Sequence, residues 1–337
     1  MNTKILIIYT GGTIGMEASD KGYVPISGFE SLIRDRLAHS HHALLPGFDM
    51  LELSPLIDSA NLTPSHWHYM ADIVIKHYDD YDGFIILHGT DTMAYSASML
   101  SFILQGLAKP VIFTGSQIPL SQLRNDALDN LITTMLLATD SAINEVCLYF
   151  SGRLLRGNRA SKVKATGLDA FNSPNFPWLG QVGLNIELHS NLFLPQKAQQ
   201  FVNPSFKKNA VAILPIYPGM NGKHAELLSS DPDCKAIILR SYGVGNLPDQ
   251  NTALIEAIAA VAQQGNVFVN SSQCLQAEVL QGQYACSSVL NDIGVIPGAE
   301  MTVEAVFCKL HFLVATVSST TAIRDAFPHP LAGEVND

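Results

Sequence analysis

The sequence predicts an α/β fold with a larger N-terminal domain, built on a mainly parallel sheet flanked by helices, and a smaller C-terminal α/β domain. Apolar runs rich in β-branched residues alternate with helical segments through the first half, which is typical of a parallel sheet covered by helices. A polar stretch follows near residue 200, and the alternation then begins again. With 337 residues, 47% of them hydrophobic, the chain can bury a large core and is long enough for two domains.

The first half supplies the elements of the larger domain. Strands are predicted at 4–9 (KILIIY) and 83–87 (GFIIL), because continuous apolar runs indicate strands buried on both faces. Between them, Thr63 suits an N-cap and Pro64 suits the first helical position, so a helix is predicted from there to about Tyr78. The remaining predictions are strands at 110–113 and 146–150 and helices at about 92–105 and 125–138.

Two stretches of the chain are expected to lack regular secondary structure. Residues 153–177 contain Gly157, Gly167, Pro174 and Pro177, which predicts one or more long loops of the kind that often carry function. The polar stretch at 191–209 predicts an interdomain connection between domains at 1–190 and 210–337. The second domain is expected to contain strands at 211–216, 236–239 and 267–270, with helices near 249–263 and 302–315.

Composition excludes several classes of function. The formal net charge is −10 and the basic residues are scattered, which disfavours nucleic acid as a partner. Five cysteines without a C-x-x-C pair indicate reduced thiols. The apolar run before Gly11 is too short for a signal-peptide core, and no run approaches a membrane span. A cytoplasmic location and no membrane partner are therefore expected.

Two glycine-rich motifs carry the strongest functional signal. Residues 10–15 (TGGTIG) and 88–93 (HGTDTM) each follow a predicted parallel strand. Carboxyl ends of parallel strands meet at one edge of a sheet, so both motifs are expected to face one crevice. A threonine hydroxyl attacks only with a base and with donors for the developing oxyanion. Either motif alone is compatible with a tight turn or a helix cap, whereas the pair favours nucleophilic chemistry.

Three further segments make the pattern specific, namely 22–25 (GYVP), 58–61 (DSAN) and 159–162 (RASK). Together with the two motifs they resemble the bacterial-type L-asparaginase family over nearly the whole chain. The short spacing from Thr13 to Tyr23 is most similar to its cytoplasmic type I branch. The resemblance implies hydrolysis of L-asparagine to L-aspartate and ammonia through a β-acyl-enzyme on a threonine, without a metal or organic cofactor.

The resemblance also implies a set of site residues. The catalytic residues would be Thr13, Tyr23, Thr90, Asp91 and Lys162. Tyr23 would close over the site and help to activate Thr13, while a neutral Lys162, its pKa lowered by burial, could accept a proton from Thr90. The substrate's amino and carboxylate groups would be held by Asp58, Ser59, Ala60, Thr90 and Asp91. The sequence leaves open which threonine attacks first.

The second predicted domain contains two more strand-end motifs. They are similar to the segments of type I enzymes that form a separate effector site for asparagine, and the residues concerned are Arg240, Ser241, Tyr242, Ser272 and Cys274. Ser272 stands where a threonine is expected, which keeps the hydroxyl and removes a methyl contact. Alternatively, these loops complete the active site of a neighbouring subunit, particularly through Asn246. A homodimer or homotetramer is expected.

Competing interpretations remain at this stage. A two-domain amino-acid sensor could use the same crevice without turnover, and an asparaginase-like subunit of a tRNA-dependent amidotransferase would bring an added domain and a nucleic-acid surface. No metal site is predicted, since no carboxylate or cysteine spacing completes a recognised set around the clustered histidines His39, His41, His42, His66, His68 and His77. His88 is expected to be a packed strand-end residue.

Overall fold

The computed structural model describes residues 3–20, 22–26, 28–38, 45–283 and 285–336, except for the side chains of Ala285 and Cys286. The chain divides into two compact units, Met1–Asn203 and Pro204–Asp337. The predicted connection at 191–209 spans this division, and the domain bounds themselves stay a prediction. Within the described ranges, no helix is long and apolar enough to cross a membrane.

The first unit contains a large sheet, three small two-stranded sheets and four helices among its described residues. Its strands are β1 (Lys4–Tyr9), β2 (Met16–Ser19), β3 (Gly22–Pro25), β4 (Gly47–Glu52), β5 (Gly83–Leu87), β6 (Leu104–Gln105), β7 (Val111–Thr114), β8 (Val146–Phe150), β9 (Arg153–Arg156), β10 (Ser161–Lys162), β11 (Phe171–Asn172), β12 (Gly180–Val182), β13 (Ile186–Leu188) and β14 (Gln200–Phe201). Its helices are α1 (Phe29–Ala38), α2 (Pro64–Lys76), α3 (Met93–Ile103) and α4 (Ala127–Leu137).

The large sheet has the strand order β13-β12-β9-β8-β7-β5-β1-β4. Its five strands from β8 to β4 pair in parallel, and the three added at the other edge pair antiparallel. Alternate residues of β1 explain why both faces are covered. Ile5, Ile7 and Tyr9 share a core with α1 and α4, whereas Leu6 and Ile8 are buried on the opposite face. The predicted mixed α/β class with a mainly parallel sheet is confirmed.

The helix predicted after Thr63 is also confirmed. Thr63 is the N-cap of α2, Pro64 occupies its first turn, and the His66 side chain completes a capping box by accepting from the Thr63 backbone N–H. The helix ends at Lys76, slightly before the predicted end.

The second unit is a smaller α/β unit with a four-stranded parallel sheet. Its strands, in sheet order, are β15 (Val211–Pro215), β16 (Ala236–Ser241), β17 (Val267–Ser272) and β18 (Ile296–Pro297). Its helices are α5 (Lys223–Ser229), α6 (Thr252–Gln263), α7 (Ala285–Ile293), α8 (Val303–Thr316) and α9 (Thr320–Ala326). One apolar core includes residues of α8 and α9 and another includes residues of α6, so the sheet is covered on both faces.

The expectation of irregular structure from Arg153 to Pro177 is wrong in part. This stretch contains β9, which pairs antiparallel with β8, and the small β10–β11 ladder. These strands were not predicted because their charged residues indicated a surface loop, whereas such residues are buried in the structure. Arg156 is only 5% exposed and its Nε lies 2.6 Å from a Glu145 carboxylate oxygen, so an apparently polar surface segment belongs to the interior.

Candidate active site

The site lies at a topological switch point of the large sheet. After β1 the chain adds β4 on one side, and after α2 it crosses to add β5 on the other side of β1. The segments that follow β1 and β5 therefore leave adjacent parallel strands in the same direction. This crevice outside the carboxyl ends is where open α/β sheets bind ligands.

Glycine residues, which have no side chain, let three segments approach one another in this crevice. A Cβ atom on Gly12 would lie 2.5 Å from Gly89 Cα, and a Cβ atom on Gly89 would overlap the Ser59 side chain. Gly12 also has a φ of 91°, which favours glycine. The TGGTIG loop, the HGTDTM loop and the segment around Ser59 are therefore in direct contact.

Thr90, Asp91 and Lys162 form a hydrogen-bonded cluster. Lys162 Nζ donates to Thr90 Oγ1 and to Asp91 Oδ1, each at 2.8 Å. Thr90 is 6% exposed, and the side chain of Lys162 is 20% exposed. The helix-capping alternative does not account for these side chains, because the N-cap of α3 is Thr92 and its hydroxyl donates to the Ser59 carbonyl.

Gln117 is the residue that sequence reasoning missed. Its Oε1 accepts a hydrogen bond from Thr90 Oγ1 at 3.2 Å. It follows β7 at the same sheet edge as the two threonine motifs. The strand-end rule that identified those motifs would have identified this residue as well, had it been applied to the strand predicted at 110–113.

Thr13 begins a short 3-10 turn, Thr13–Gly15, directly after β1. Its side chain is partly exposed and makes no hydrogen bond within the part of the chain that the structure describes. The turn is stabilised from below by Tyr9, whose hydroxyl donates to the Gly15 carbonyl at 3.3 Å. Burial raises the pKa of Tyr9 well above its usual value, so this hydroxyl keeps its proton.

Tyr23 lies in β3, in the hairpin that follows the Thr13 turn, where it is paired with Ala18. Its side chain is 55% exposed. The described contacts do not join Tyr23 to Thr13 by a hydrogen bond, so the structure does not bring this predicted pair together directly.

Asp58, Ser59 and Ala60 form another short turn at the crevice. The Asp58 carboxylate caps the 3-10 turn Ser59–Asn61 by accepting from the Ala60 backbone N–H at 3.2 Å. Ser59 is buried against Gly89, whereas Asp58 and Ala60 are exposed. The predicted substrate-holding segment therefore adjoins the second threonine motif.

His88 is a packed residue beneath this motif. Its Nδ1 lies 2.8 Å from the Gly89 carbonyl and its Nε2 lies 2.9 Å from Ser96 Oγ. The carbonyl is only an acceptor, so Nδ1 carries the hydrogen and Nε2 accepts from the serine. Burial lowers the pKa of His88 to about 4, which leaves a neutral imidazole at neutral pH.

The predicted effector residues of the second unit lie together at the carboxyl ends of β16 and β17. In the parallel register Arg240 is paired with Ser271 and Ser241 with Ser272, and the Arg240 guanidinium donates to Ser271 Oγ at 3.3 Å. Ser241 Oγ donates to the Asn270 side chain. The Ser241 hydroxyl therefore serves internal structure.

The loop after β16 approaches this edge. Ser272 Oγ donates to the Gly243 carbonyl and accepts from the backbone N–H of Cys274, whose side chain is exposed. Tyr242 pairs with Asn246 in a β-bridge, and the Tyr242 hydroxyl and Asn246 Oδ1 are buried without a hydrogen-bond partner among the described residues.

The described ranges contain no group of three histidine, cysteine or acidic residues that could hold a metal ion. Of the histidines clustered in the sequence, His66 caps α2, while His39, His41 and His42 lie outside the described residues.

Comparisons with known proteins match both units. The family model "Asparaginase, N-terminal" matches residues 4–194, and "Glutaminase/Asparaginase C-terminal domain" matches residues 210–327. L-asparaginase 1 of Escherichia coli strain K12 is 44% identical over 331 residues, which cover 98% of this chain and 97% of that protein.

Solved structures of L-asparaginases also align with this chain over nearly its full length. L-asparaginase I from Vibrio cholerae O1 biovar eltor aligns with a TM-score of 0.89 at 41% identity, and the alignment covers 100% of both chains. The thermostable L-asparaginase from Thermococcus kodakarensis aligns with a TM-score of 0.89 at 27% identity, over 99% of this chain and 100% of that one.

Proposed function

The chain belongs to the asparaginase family, and on that premise we propose that it hydrolyses the side-chain amide of L-asparagine through an acyl-enzyme on Thr13. The products are L-aspartate and ammonia. The observation that supports this chemistry best is the cluster of Thr90, Asp91 and Lys162, because a solvent-facing turn or a helix cap has no need of it.

Thr13 is the nucleophile in this proposal because its hydroxyl is the available one. The Thr90 hydroxyl is engaged by both Lys162 and Gln117, whereas Thr13 is partly exposed at the crevice without such partners among the described residues. Tyr23, carried by the adjacent hairpin, moves over the crevice when substrate binds and assists the attack.

The reaction has two halves. Thr13 Oγ1 attacks the amide carbon, the C–N bond breaks, and ammonia leaves with the proton that the threonine gave up. Water then attacks the resulting ester, aspartate departs, and the threonine regains a proton. The cluster of Thr90, Lys162 and Asp91 exchanges these protons next to the reacting atoms.

The α-amino and α-carboxylate groups of the substrate bind at the exposed edge of the site. Asp58 and Asp91 supply negative charge for the ammonium group, while the turn containing Ser59 and Ala60 lies against the carboxylate and supplies the Ser59 hydroxyl as a donor. Thr90 contacts the same substrate from the second motif.

Ammonia release tests this assignment. We expect Thr13→Ala and Thr90→Val each to lower kcat for L-asparagine by at least about a hundredfold, in line with the loss of a nucleophile or of a proton-transfer partner. The matched control is Thr139→Ala, at the end of α4, which should keep the parent rate. Full turnover in both site variants would refute the proposed mechanism, and binding of asparagine without ammonia release by the parent chain would favour the sensor.

A second site for asparagine is proposed at the strand ends of the second unit, formed by Arg240, Ser241, Tyr242, Ser272 and Cys274. The buried Tyr242 hydroxyl without a described partner supports a ligand there. Initial rates should then rise sigmoidally with asparagine concentration, and Arg240→Ala should change the shape of the curve. A hyperbolic parent curve would contradict effector binding.

A cytoplasmic homo-oligomer is the assembly that we propose, by analogy with the type I branch. If Asn246 reaches a neighbouring subunit's active site, Asn246→Ala should lower turnover in the oligomer. Sedimentation at several protein concentrations measures the assembly, and a monomer with full activity would contradict it.

A further inference from the structure

The Gln117 side chain links Thr90 to the turn that follows Lys162. Its Oε1 accepts from Thr90 Oγ1 at 3.2 Å, and its Nε2 donates to the carbonyls of Ala165 and Gly167 at 3.0 and 3.1 Å. Ala165 and Gly167 belong to the turn between β10 and β11, and β10 contains Lys162. One side chain therefore contacts both the threonine and the turn that carries its lysine partner.

The orientation of this amide is determined by its surroundings. Both hydrogens of Nε2 point at carbonyl oxygens, which are acceptors only. Rotating the amide by half a turn would bring Oε1 against those two carbonyls and would present an N–H group to Thr90. The oxygen of Gln117 must therefore face the threonine hydroxyl.

This orientation fixes the position of the Thr90 proton. The Lys162 ammonium only donates, so it binds a lone pair of Thr90 Oγ1. The one hydroxyl hydrogen is then left for Gln117, the acceptor on the other side. Thr90 is thereby held with its lone pair toward Lys162 and its proton directed away from it. This orientation is the opposite of the direct proton transfer from Thr90 to Lys162 that the sequence analysis expected.

The backbone of Gln117 is itself held rigidly. Its N–H and that of Ile118 donate to the two carboxylate oxygens of Asp126, at 3.0 and 2.9 Å. Asp126 is the N-cap residue of α4, and the Asn130 amide of that helix donates to the Gly115 carbonyl at 3.0 Å. The position of α4 therefore fixes the position of the Gln117 side-chain amide.

We propose that Gln117 is a positioning residue for asparagine hydrolysis, which sets the hydroxyl orientation of Thr90 and keeps Lys162 within hydrogen-bond distance of it. The inference rests on the catalytic role proposed above for Thr90 and Lys162. Gln117 acts through these two residues, and it is the turn at 165–167 that transmits its position to the lysine.

Two substitutions test the role at saturating L-asparagine. Gln117→Leu removes both sets of hydrogen bonds, and we expect kcat to fall about tenfold, the worth of one well-formed hydrogen bond, with KM for asparagine changed less than twofold. Gln117→Glu keeps an acceptor for Thr90, but at neutral pH its carboxylate opposes the Ala165 and Gly167 carbonyls. Its kcat relative to the parent chain should rise as the pH falls and the new carboxyl gains a proton that it can donate.

The controls separate positioning from folding. Gln122→Leu, on the same loop, should keep the parent kcat, and all variants should keep the parent melting temperature within a few degrees. A parent-like kcat in Gln117→Leu would overturn the inference. So would a loss in Gln117→Glu that is equal at every pH, because a packing role predicts no recovery in acid. Full activity in Thr90→Val would instead show that the catalytic role proposed above for Thr90, on which this inference rests, has failed.

Discussion

His88 shows how a residue without a catalytic role controls the site around it. Its ring bridges the carbonyl of Gly89 and the hydroxyl of Ser96, and so stabilises the start of the second threonine motif from within the core. The ring is 1% exposed and its pKa is lowered to about 4 by burial. Protonation would place a charge in the core directly beneath the motif.

The depressed pKa of His88 predicts a pH dependence of stability. Above pH 6.5 the histidine is neutral in both the folded and the unfolded chain, so its contribution is constant. Between pH 6.5 and about 4 only the unfolded chain takes up the proton, so the free energy of unfolding decreases as the pH falls, by about 1 kcal/mol at pH 5.5. His88→Gln should lose this component when urea midpoints are compared between pH 7 and pH 5.5.

Two further variants make the comparison between pH 7 and pH 5.5 specific. His311 in the second unit also has its pKa lowered to about 4 by burial, so His311→Gln should remove a further part of the acid loss. His224→Gln, on an exposed side chain, serves as the control. An unchanged pH dependence in His88→Gln would contradict the neutral buried imidazole.

Particular residues also show what a sequence can predict of a site. The family resemblance implied Thr90, Asp91 and Lys162 as site residues, and the structure places them within hydrogen-bond distance although Lys162 is about 70 residues away along the chain. Gln117 was missed because the strand-end rule was not applied to the strand predicted at 110–113 and no motif marks its role. Its position depends on Asp126 and on the turn at 165–167, which only the folded chain brings to it.

At the scale of elements, the site depends on close approach of three strand-end segments. The two motif loops and the Ser59 turn are packed so tightly that Gly89 has no room for a Cβ atom. The contact also includes the bond from the Thr92 hydroxyl to the Ser59 carbonyl at 2.8 Å. Separation of these loops would displace Thr90 from the residues that orient it.

Gly89→Ala tests this packing. The new methyl group overlaps Ser59, so we expect the loops to shift by a fraction of an ångström or more and kcat to fall by about a hundredfold. Gly183→Ala is the matched control, because nothing lies within 4 Å of a Cβ atom at that position. Equal kcat values for the two alanine variants, measured by ammonia release, would contradict the claim that contact between the loops shapes the site.

Element prediction succeeded where a long apolar pattern existed. β1, β5, α2 and α4 have such patterns or clear capping residues, and the structure contains them close to the predicted bounds. The β10 strand is two residues long, too short to show the two-residue alternation of a strand. Short strands of this kind are specified by their partners across the fold, so the ladder that carries Lys162 could not be predicted locally.

At the scale of the whole molecule, each unit contains a buried ion pair that holds its terminal segment. In the first unit, Glu145 binds Arg156 and also accepts from the Leu194 backbone N–H at 2.9 Å. In the second unit, Lys309 Nζ lies 2.5 Å from Glu334, with both side chains 0% exposed, and donates to the His329 carbonyl at 2.7 Å. A segment in the last part of each unit is thus held by charges in the interior.

Removing one member of the second pair should be costly. Glu334→Leu leaves the Lys309 ammonium buried without its carboxylate, and we expect a loss of about 3–5 kcal/mol in the free energy of unfolding. The double variant Lys309→Met with Glu334→Leu should recover much of it. Asp233→Leu breaks the exposed pair with Lys207, also 2.5 Å, and should cost less than about 1 kcal/mol. Similar denaturation midpoints for Glu334→Leu and Asp233→Leu would contradict the role of burial.

The division into two α/β units follows from the repeated alternation along the chain, and the fold class could be predicted for that reason. Buried ion pairs such as Lys309 with Glu334 could not be predicted. Charged residues are normally expected at the surface, and only the fold shows which of them are buried with a partner.

The central claim, a covalent intermediate on Thr13, is tested most directly by rapid acid quenching of turnover with L-asparagine, followed by peptide mapping of the chain. Cleavage after lysine places Thr13 in the peptide 5–21 and Thr90 in a separate peptide that begins at residue 77. We predict that one aspartyl group is attached to the first of these peptides during steady turnover and is absent from the Thr13→Ala chain. An aspartyl group on the peptide that contains Thr90, or sustained ammonia release by Thr13→Ala, would contradict the account.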